Sequence, residues 1–342
     1  MKTGFTPFFV ALIVGTFQAQ TKDTLAEKIL IYQLPIGAWG KQLHDGKSVN
    51  YNLPVDQNLY DKIKATGDAH ATIDNNATTR EINVLIKAYK TTKNPAYLSA
   101  AEKGINYLLA MQYDNGGFPQ YYPNKSIYRK QITYNDNAMI NALTVLYNAA
   151  EGKNDFDVIT SELKLKSKTA VKKGVDCIIS NQVSQNGNPT IWADQYDEIT
   201  LQPAKARAFE PISLATGESV GIVRFLMTLA ITPTIEKSVT AAIKWFKANK
   251  IEGYSYKVMK ENHKTIRVLS EEKGAMTWAR FYEIETNKPI FGDRDNSVKY
   301  NYQEISEERR NGYSWYNDSA DKLITRDFPQ WLTHNQLSQS IL

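Results

Sequence analysis

Apolar residues recur at helical spacing in paired segments through the middle of the chain. In the first pair, Ile82, Leu85 and Tyr89 follow the polar cluster Asp74–Thr79, and a second apolar run covers about 96–112. A cluster of asparagine and aspartate before such a run is a signal for the start of a helix. The pattern therefore predicts two consecutive helices that fold back on each other.

The same pattern occurs twice more along the chain. A second pair begins at Asn135–Met139 and ends with a long run over about 160–182. A fainter third pair begins at Gly217–Ser219 and ends with a run over about 234–249. Repeated helix pairs of this kind are typical of helical repeat folds. We therefore predict a mainly α fold, an (α/α)₃ toroid of antiparallel helix pairs with one helix of each pair inside.

In such a toroid every inner helix begins at the same rim. This arrangement places Asp74, Asp136 and Glu218 around one cleft. Two carboxylates with open positions for water suit an oxygen-preferring cation such as Ca²⁺. Four histidines and one cysteine argue against a zinc site. The alternative is that each acid only caps its helix or interacts favourably with the helix dipole.

The chain on either side of the helix pairs has a different pattern. Residues 24–34 have a helical period, whereas 40–72 look irregular. After the third pair, Thr277–Ile284 and Pro289–Arg294 flank a polar turn, which predicts a β-hairpin in a smaller region near the C-terminus. The remaining predicted elements are a short charged helix over 303–310 and a segment, Asp321–Trp331, that docks on an apolar edge.

The predicted hairpin brings two arginines together. If its strands are symmetric about the turn Glu285–Lys288, Arg280 and Arg294 lie almost opposite each other. Like charges across a strand pair repel each other unless an anion lies between them. A register slip of one residue would instead put the two side chains on different faces.

A charged loop, Trp192–Pro211, lies between the second and third helix pairs. It carries three acids before the turn at Pro203 and the cations Lys205 and Arg207 after it. Loops of this kind, bounded by proline and flanked by long apolar-periodic segments, often carry catalytic or binding residues. A solvated surface loop is the alternative.

Length and composition set the class of protein. The chain has 342 residues, of which 42% are apolar, which is enough for one large domain. Residues 1–20 combine a charged start with an apolar run too short to span a bilayer, which predicts a secretory signal peptide. A buried N-terminal strand is the alternative. We therefore expect residues 21–342 to form a single catalytic domain.

Cysteine content and charge indicate the compartment and the partners. Cys177 is the only cysteine, so no internal disulfide forms, and export without disulfides suits a secreted or periplasmic bacterial protein. The formal net charge is +5, but no run of lysine or arginine resembles a nucleic-acid-binding patch. We expect a monomer with no membrane span.

Carboxylates at a rim with nearby cations suit a substrate that itself carries carboxylates. Arginine binds a carboxylate with two parallel hydrogen bonds. A polymer of uronic acid suits both the metal and the cations of such a site, because each of its units carries a carboxylate. Its C5 proton is α to that carboxylate. Metal and arginine charges would stabilise the anion that develops when a base removes this proton and the C4 oxygen leaves.

Several long strings of the chain also match a known pattern, in order, over about 30–335. They are NGGFPQYYP (115–123), ITYNDNAM (132–139), DEITLQPAKARAFE (197–210), ESVGIVRFLM (218–227), WARFYEIETNKPIF (278–291) with GDRD (292–295), and EERRNGYSWY (307–316). These strings resemble the family 10 polysaccharide lyases, which are pectate lyases. The resemblance implies an (α/α)₃ toroid, Ca²⁺ dependence, and anti-β-elimination on polygalacturonate to give 4,5-unsaturated oligogalacturonides.

The resemblance also implies roles for individual residues. The string PAKAR places the family's catalytic base at Arg207. Asp74 and Asp136 match the family's acids at the metal and substrate site. Arg280 and Arg294 match its arginines that bind substrate carboxylates.

Two residues remain less defined. Lys205 is a further expected substrate contact, whereas the resemblance assigns no role to Glu218. Residue chemistry alone favours Lys205 as the base, because arginine has a pKa above about 12. An arginine base needs neighbouring cations that lower its pKa, and we expect Lys205, Arg280 and Arg294, with Ca²⁺, to do so for Arg207.

Two other functions remain open on the sequence alone. One is a glycoside hydrolase with a helical toroid fold, in which paired carboxylates cleave the polymer with water. The other is a non-catalytic protein that binds acidic glycans.

Overall fold

The computed structural model describes residues 21–261 and 264–337, and this part of the chain is mainly helical. Its α-helices, in chain order, are α1 Thr24–Tyr32, α2 Gln57–Ala65, α3 Thr79–Thr92, α4 Pro95–Met111, α5 Ala138–Glu151, α6 Ser161–Asn181, α7 Thr216–Thr228, α8 Pro233–Ala248, α9 Glu307–Gly312, α10 Ser319–Lys322 and α11 Phe328–His334. The predicted signal peptide, residues 1–20, lies outside the described residues. None of the described helices combines the length and apolarity needed to cross a membrane.

Antiparallel strands, most of them short, connect and cover the helices. They are β1 Ile132–Thr133, β2 Ser184–Gln185, β3 Asn188–Pro189, β4 Gln195–Tyr196, β5 Leu214–Ala215, β6 Ile251–Glu261, β7 Lys264–Ala279, β8 Phe281–Tyr282, β9 Pro289–Gly292, β10 Val298–Lys299 and β11 Tyr316–Asn317. The strand order is β10–β9–β8–β5 in one sheet and β11–β7–β6 in another, and β1–β4 and β2–β3 form separate pairs. The smaller β region therefore lies in the C-terminal third of the chain, as predicted.

Three consecutive helix pairs, α3–α4, α5–α6 and α7–α8, form the body of the molecule. The first helices of the pairs contact one another in series, α3 with α5 and α5 with α7, and so do the second helices. Side-chain caps begin the outer helices, with Asn94 accepting from the N–H of Ala96 at 3.0 Å and Thr232 from that of Ile235 at 3.2 Å. The predicted helical toroid is confirmed.

Three glutamines tie successive outer helices together by the same device. Each follows the end of an outer helix, and its side-chain N–H₂ donates both to a carbonyl of the next turn and to a carbonyl of the next outer helix. The bonds run from Gln33 to Gly37 and Ala100, from Gln112 to Gly116 and Ala170, and from Gln182 to Thr190 and Ser238, all at 2.8–3.0 Å. Helix α1 is therefore also part of the outer ring.

Two sequence-based expectations about local structure are wrong. The segment 40–72 is not wholly irregular, because it contains α2, which Asp56 caps by accepting from the N–H of Leu59 at 2.8 Å. In the predicted hairpin, β8 pairs with β9 so that Phe281 faces Ile290 and Tyr282 faces Pro289. This register differs by two residues from the symmetric one, and the hairpin's arginines lie outside its paired positions.

The C-terminal expectations are closer to the structure. The short charged helix predicted over 303–310 is α9, a few residues further on. Beyond it, Phe328, Trp331 and Leu332 of α11 are buried in the main core. The C-terminal segment therefore docks on the apolar body as expected.

The turn at Gly116 gives a first testable prediction. Gly116 has φ +89°, and a Cβ there would lie 2.0 Å from the carbonyl oxygen of Lys173 on α6. Gly187 has a similar φ of +79° but no atom within 4 Å of the position of its Cβ. We expect Gly187→Ala to cost about 1 kcal/mol of unfolding free energy, and Gly116→Ala to cost about 1–3 kcal/mol more. Urea unfolding of the two variants checks this, and equal losses would contradict it.

Candidate active site

The inner helices α3, α5 and α7 begin at a common rim. Asp74 and Asp136 each lie in a single 3₁₀ turn before a helix, and these two turns contact each other. The amide of Asn141 donates to the side-chain oxygen of Asn76 at 2.6 Å and links the turns further. Gly221 of α7 lets Asn137 approach, since a Cβ there would lie 1.9 Å from its side-chain oxygen. The structure therefore brings the two acidic clusters of the sequence together.

Both acidic turns need residues that tolerate a left-handed backbone. The second residue of each turn, Asn75 and Asp136, has φ 50° and 53° respectively. Asparagine and aspartate accept this conformation more readily than other residues with a Cβ. The Asn- and Asp-rich composition of the two clusters thus follows in part from the backbone.

Asp74 is buried beneath the rim and already has one cationic partner. Its Oδ2 forms an ion pair with the ammonium group of Lys41. Its Oδ1 is buried and has no hydrogen-bond partner among the described residues. Asp74 therefore offers one oxygen for a further ligand.

Asp136 is exposed at the rim, where its Oδ2 accepts from the amide of Asn135 at 3.3 Å. Within residues 21–261 and 264–337, no group of three His, Cys, Asp or Glu side chains could hold a metal ion. The donor set at this point is two carboxylates and neighbouring amide oxygens, which fits Ca²⁺ better than a transition metal. Because Ca²⁺ takes 6–8 oxygen ligands, water and substrate would have to complete its coordination.

Glu218 and Arg280 form an ion pair next to these turns, in which Glu218 is buried and Arg280 is largely buried. A terminal nitrogen of Arg280 lies 2.9 Å from Oε1 of Glu218 and also donates to Oδ1 of Asn135 at 3.3 Å. The guanidinium group lies 4.7 Å from the ring centroid of Tyr313. Burial by itself would lower the pKa of Arg280, but the charge of Glu218 and of other nearby acids raises it above its usual range. Arg280 is thus a fixed cation at the rim, and Glu218 holds it there.

Three buried tryptophans position charged residues at equivalent points around the site. Trp39, Trp192 and Trp278 are fully buried, and each indole N–H donates to a backbone carbonyl at 2.7–2.9 Å. The residue two positions after each tryptophan is charged and lies beside the rim acids. These residues are Lys41, Asp194 and Arg280.

Asp194 is a buried acid that differs from the others. Its Oδ2 has no partner among the described residues. Burial raises the pKa of Asp194 well above its usual range, and the carboxylates of Glu210 and Glu218 add to the rise. Asp194 is therefore a buried carboxyl group whose charged form is disfavoured, close enough to Arg280 to interact with its charge.

Glu210 holds the guanidinium group of Arg207 on the loop between α6 and α7. Nε of Arg207 donates to Oε2 of Glu210 at 2.8 Å, and Nη2 donates to Oε1. Glu210 is buried, and the hydroxyl of Tyr313 also donates to its Oε1, at 2.9 Å. The hydrogen bonds to Glu210 raise the pKa of Arg207 above its usual range. The expectation that neighbouring cations lower this pKa is therefore wrong, because a carboxylate is the closest charged group.

Arg294 lies at the exposed edge of the same region. Its guanidinium group makes two hydrogen bonds of 2.9 Å to the carboxylate of Glu308. It also lies 5.7 Å from the ring centroid of Phe209, which Arg207 approaches to 4.9 Å. Arg294 and Arg280 are not cross-strand neighbours, but each shares an aromatic ring with Arg207. Arg294 shares Phe209, and Arg280 shares Tyr313.

Lys205 is on the outer part of the loop. It is exposed, and its ammonium group donates to the side chain of Asn296 at 2.8 Å. The carbonyl of Lys205 accepts from the amide of Gln131 at 3.0 Å. Since Asn296 is two residues beyond Arg294, Lys205 lies on the same side of the site as Arg294.

Sequence reasoning missed Lys41, Glu210 and Tyr313. Glu210 follows Arg207 by three residues, a spacing that allows side chains to meet, and this signal was available. Lys41 and Tyr313 reach the site only through contacts with residues far away in the chain, Asp74 and Glu210. Lys41 follows Trp39 by two residues, as Arg280 follows Trp278, and this repeated spacing could have indicated that Lys41 lies at the site.

Comparison with known families gives a clear match. The model of the pectic acid lyase family matches residues 33–324, which is most of the chain. A comparison with curated proteins finds no match.

Solved structures agree with the family match. The chain resembles a family 10 polysaccharide lyase from Cellvibrio cellulosa with a TM-score of 0.80 and 37% identity, over 91% of this chain and 92% of that one. A mutant of the Cellvibrio enzyme in complex with trigalacturonic acid gives the same TM-score and identity, over 90% and 92% of the two chains. On these grounds the chain belongs to the pectic acid lyase family.

Proposed function

We propose that the protein is a Ca²⁺-dependent pectate lyase that cleaves polygalacturonate by anti-β-elimination. The observation that carries this proposal is that the turns of Asp74 and Asp136 contact each other where Arg280 donates to Asn135. The carboxylates that could bind Ca²⁺ thus lie next to a guanidinium group that could bind a substrate carboxylate. The complex of the Cellvibrio enzyme with trigalacturonic acid supports the choice of substrate.

The acids of the rim hold the metal in this proposal. Asp74 contributes its unpartnered Oδ1, and Asp136 contributes an exposed carboxylate. Bound Ca²⁺ supplies positive charge beside the substrate carboxylate, which acidifies the C5 proton. Lys41 neutralises the other oxygen of Asp74.

Arg280, Arg294 and Lys205 bind substrate carboxylates. Arg280 is held rigidly by Glu218 and Tyr313, so little entropy is lost when a carboxylate binds to it. Arg294 and Lys205 are exposed and pair with groups that a substrate carboxylate can replace. These residues orient the uronate whose C5 proton is removed.

Arg207 removes the C5 proton. Glu210 accepts from Nε and Nη2, so Nη1 is the side-chain nitrogen of Arg207 that Glu210 does not hold. Nη1 of the neutral form takes the proton, and the C5–H electron pair forms the double bond to C4. The C4–O bond breaks with its electron pair on the leaving oxygen, which takes a proton from water. Glu210 orients the guanidinium group for this step but keeps its neutral form rare, because it raises the pKa of Arg207.

Ultraviolet absorbance of the unsaturated product tests the proposed function. We expect the mature protein to release absorbing oligogalacturonides from polygalacturonate, to lose this activity after exhaustive chelation with EGTA, and to regain it with Ca²⁺. Full activity after chelation would reject the metal assignment. Saturated products would indicate a hydrolase, and binding without a fall in viscosity would indicate a non-catalytic glycan binder.

We also propose that residues 1–20 direct export to the periplasm or medium and that the mature enzyme is a monomer.

Replacing Asp136 separates its role in metal binding from its role in the fold. Asp136→Ala should raise the Ca²⁺ concentration needed for half-maximal activity and cost about 1 kcal/mol of unfolding free energy, because alanine is strained at φ 53°. Asp136→Asn keeps a residue suited to this backbone, so it should lose Ca²⁺ affinity at nearly wild-type stability. If both variants unfold, Asp136 is structural and the metal role is wrong.

Arg294→Lys tests whether a planar guanidinium fork is needed at the exposed edge. Lysine keeps the charge but cannot form two parallel hydrogen bonds to one carboxylate. We expect KM for polygalacturonate to rise several-fold, by about 1 kcal/mol or more in binding free energy. Arg326→Lys, an exposed arginine paired with Asp327, is the control. An unchanged KM in Arg294→Lys would place Arg294 outside the substrate path.

A further inference from the structure

A second cationic pocket opens beside Asp74. It has a volume of about 160 Å³, and Lys41, Tyr121 and Arg129 are among its lining residues. Pockets for whole drug-sized ligands are larger, about 300–1,000 Å³. We propose that this Lys41 pocket is a distal subsite that binds one further uronate unit of a long substrate. The proposal rests on the proposed function, because it extends the same substrate beyond the rim.

Backbone contacts fix the pocket against the segment that carries Asp74. Thr72 and Tyr121 form an isolated antiparallel bridge, and the N–H of Ile73 donates to the carbonyl of Gln120 at 3.2 Å. The side chain of Thr72 donates to the same carbonyl at 2.6 Å. The pocket and the acidic rim therefore share a wall and form neighbouring positions for one chain-like ligand.

Arg129 provides a cation with no carboxylate of its own. Its guanidinium group lies over the ring of Tyr121, 4.4 Å from the centroid. Among residues 21–261 and 264–337, no hydrogen bond or ion pair to this guanidinium group is present. By contrast, Arg207, Arg280 and Arg294 each pair with a glutamate. A guanidinium group that stacks on an aromatic face keeps its N–H groups free at the edge, and these suit an incoming carboxylate.

Lys41 gives the pocket a second cation and connects it to the rim. Its ammonium group forms an ion pair with Asp74, and its side chain also lines the pocket. Tyr121 is buried beside it, and its ring supports the guanidinium group of Arg129. The pocket thus combines the groups that recognise a uronate.

Chain-length dependence tests the subsite. We compare kcat/KM on trigalacturonate and hexagalacturonate for the wild type and for Arg129→Gln. The kcat/KM on hexagalacturonate divided by that on trigalacturonate should fall about tenfold in Arg129→Gln, the effect expected for the loss of a charge-assisted hydrogen bond. Arg129→Lys keeps the charge without the planar fork and should give an intermediate ratio. Arg326→Gln, an exposed arginine on the C-terminal segment, should leave the ratio unchanged.

Two results would overturn the proposal. One is an unchanged ratio in Arg129→Gln, and the other is an equal loss on both oligomers, which would place Arg129 at the rim itself. Urea unfolding of each variant shows whether it is folded. If the wild type cleaves neither oligomer, the proposed function is wrong. The oligomers then stay intact, and the ratio of their calorimetric affinities tests the subsite in the same way.

Discussion

Replacing Arg207 by alanine is expected to lower kcat on polygalacturonate by about 10²–10⁴-fold, the usual cost of losing a general base. The reason is that, among residues 21–261 and 264–337, Arg207 is the one basic side chain that Glu210 holds at this point of the loop. Binding of oligogalacturonate should persist, because Arg280 and the rim acids remain. Steady-state kinetics with parallel calorimetry on the variant would show a loss in kcat and a small change in affinity.

Arg207→Lys distinguishes a base from a mere cation. Lysine keeps the positive charge but cannot make both hydrogen bonds to Glu210 in the same geometry, so we expect it to lose most turnover as well. Lys205→Ala is the matched control on the same loop and should retain far more activity. Near wild-type turnover in Arg207→Ala together with a large loss in Lys205→Ala would move the base to Lys205.

The pH profile should agree with an arginine base. Only the neutral guanidine accepts a proton, and the hydrogen bonds to Glu210 raise the pKa of Arg207. Below that pKa the neutral fraction grows with pH, so the rate should rise on the alkaline side. Glu210→Gln removes the charge that raises the pKa and should shift the rising limb towards lower pH. A rate optimum near neutral or acidic pH in the wild type would contradict Arg207 as the base.

Removing Glu218 is expected to have the largest effect on stability. Glu218→Ala leaves the guanidinium group of Arg280 buried without its main partner, and breaking a buried pair in this way costs about 3–5 kcal/mol. Activity should also fall, because Arg280 loses the group that positions it. Urea unfolding gives the free energy, and kcat/KM on polygalacturonate gives the functional loss.

A double variant and an exposed pair provide the controls for this prediction. Glu218→Ala/Arg280→Ala removes both charges, so it should be less destabilised than Glu218→Ala alone. Asp176→Ala breaks the exposed pair with Lys172 and should cost no more than about 1 kcal/mol. If Glu218→Ala costs no more than Asp176→Ala, the pair does not hold Arg280 in place.

The helix pairs and the acidic rim could be predicted because their signals are local. Periodic apolar residues define α3 to α8, and the clusters around Asp74 and Asp136 mark the turns before two inner helices. Once the pairs repeat, the geometry of a toroid puts these turns at one rim. The sequence therefore predicted that the turns of Asp74 and Asp136 lie together, and they contact each other in the structure.

The remaining features depend on contacts between distant parts of the chain. The β8–β9 register follows from the packing of both strands in a four-stranded sheet, not from the turn alone. The pKa of Arg207 depends on Glu210, whose burial and bond to Tyr313 were not visible in the loop pattern. The short helix α2 is mostly polar, with only Ile63 buried, so its sequence resembles a loop.

The mass of the products tests the central claim most directly. In β-elimination the two products of one cleavage together have the mass of the substrate, and one of them carries the unsaturated end. In hydrolysis their combined mass is larger by one water. We predict that mass spectrometry of hexagalacturonate digested with Ca²⁺ present will show product pairs that sum to the substrate mass. Pairs that exceed it by one water would contradict the lyase mechanism.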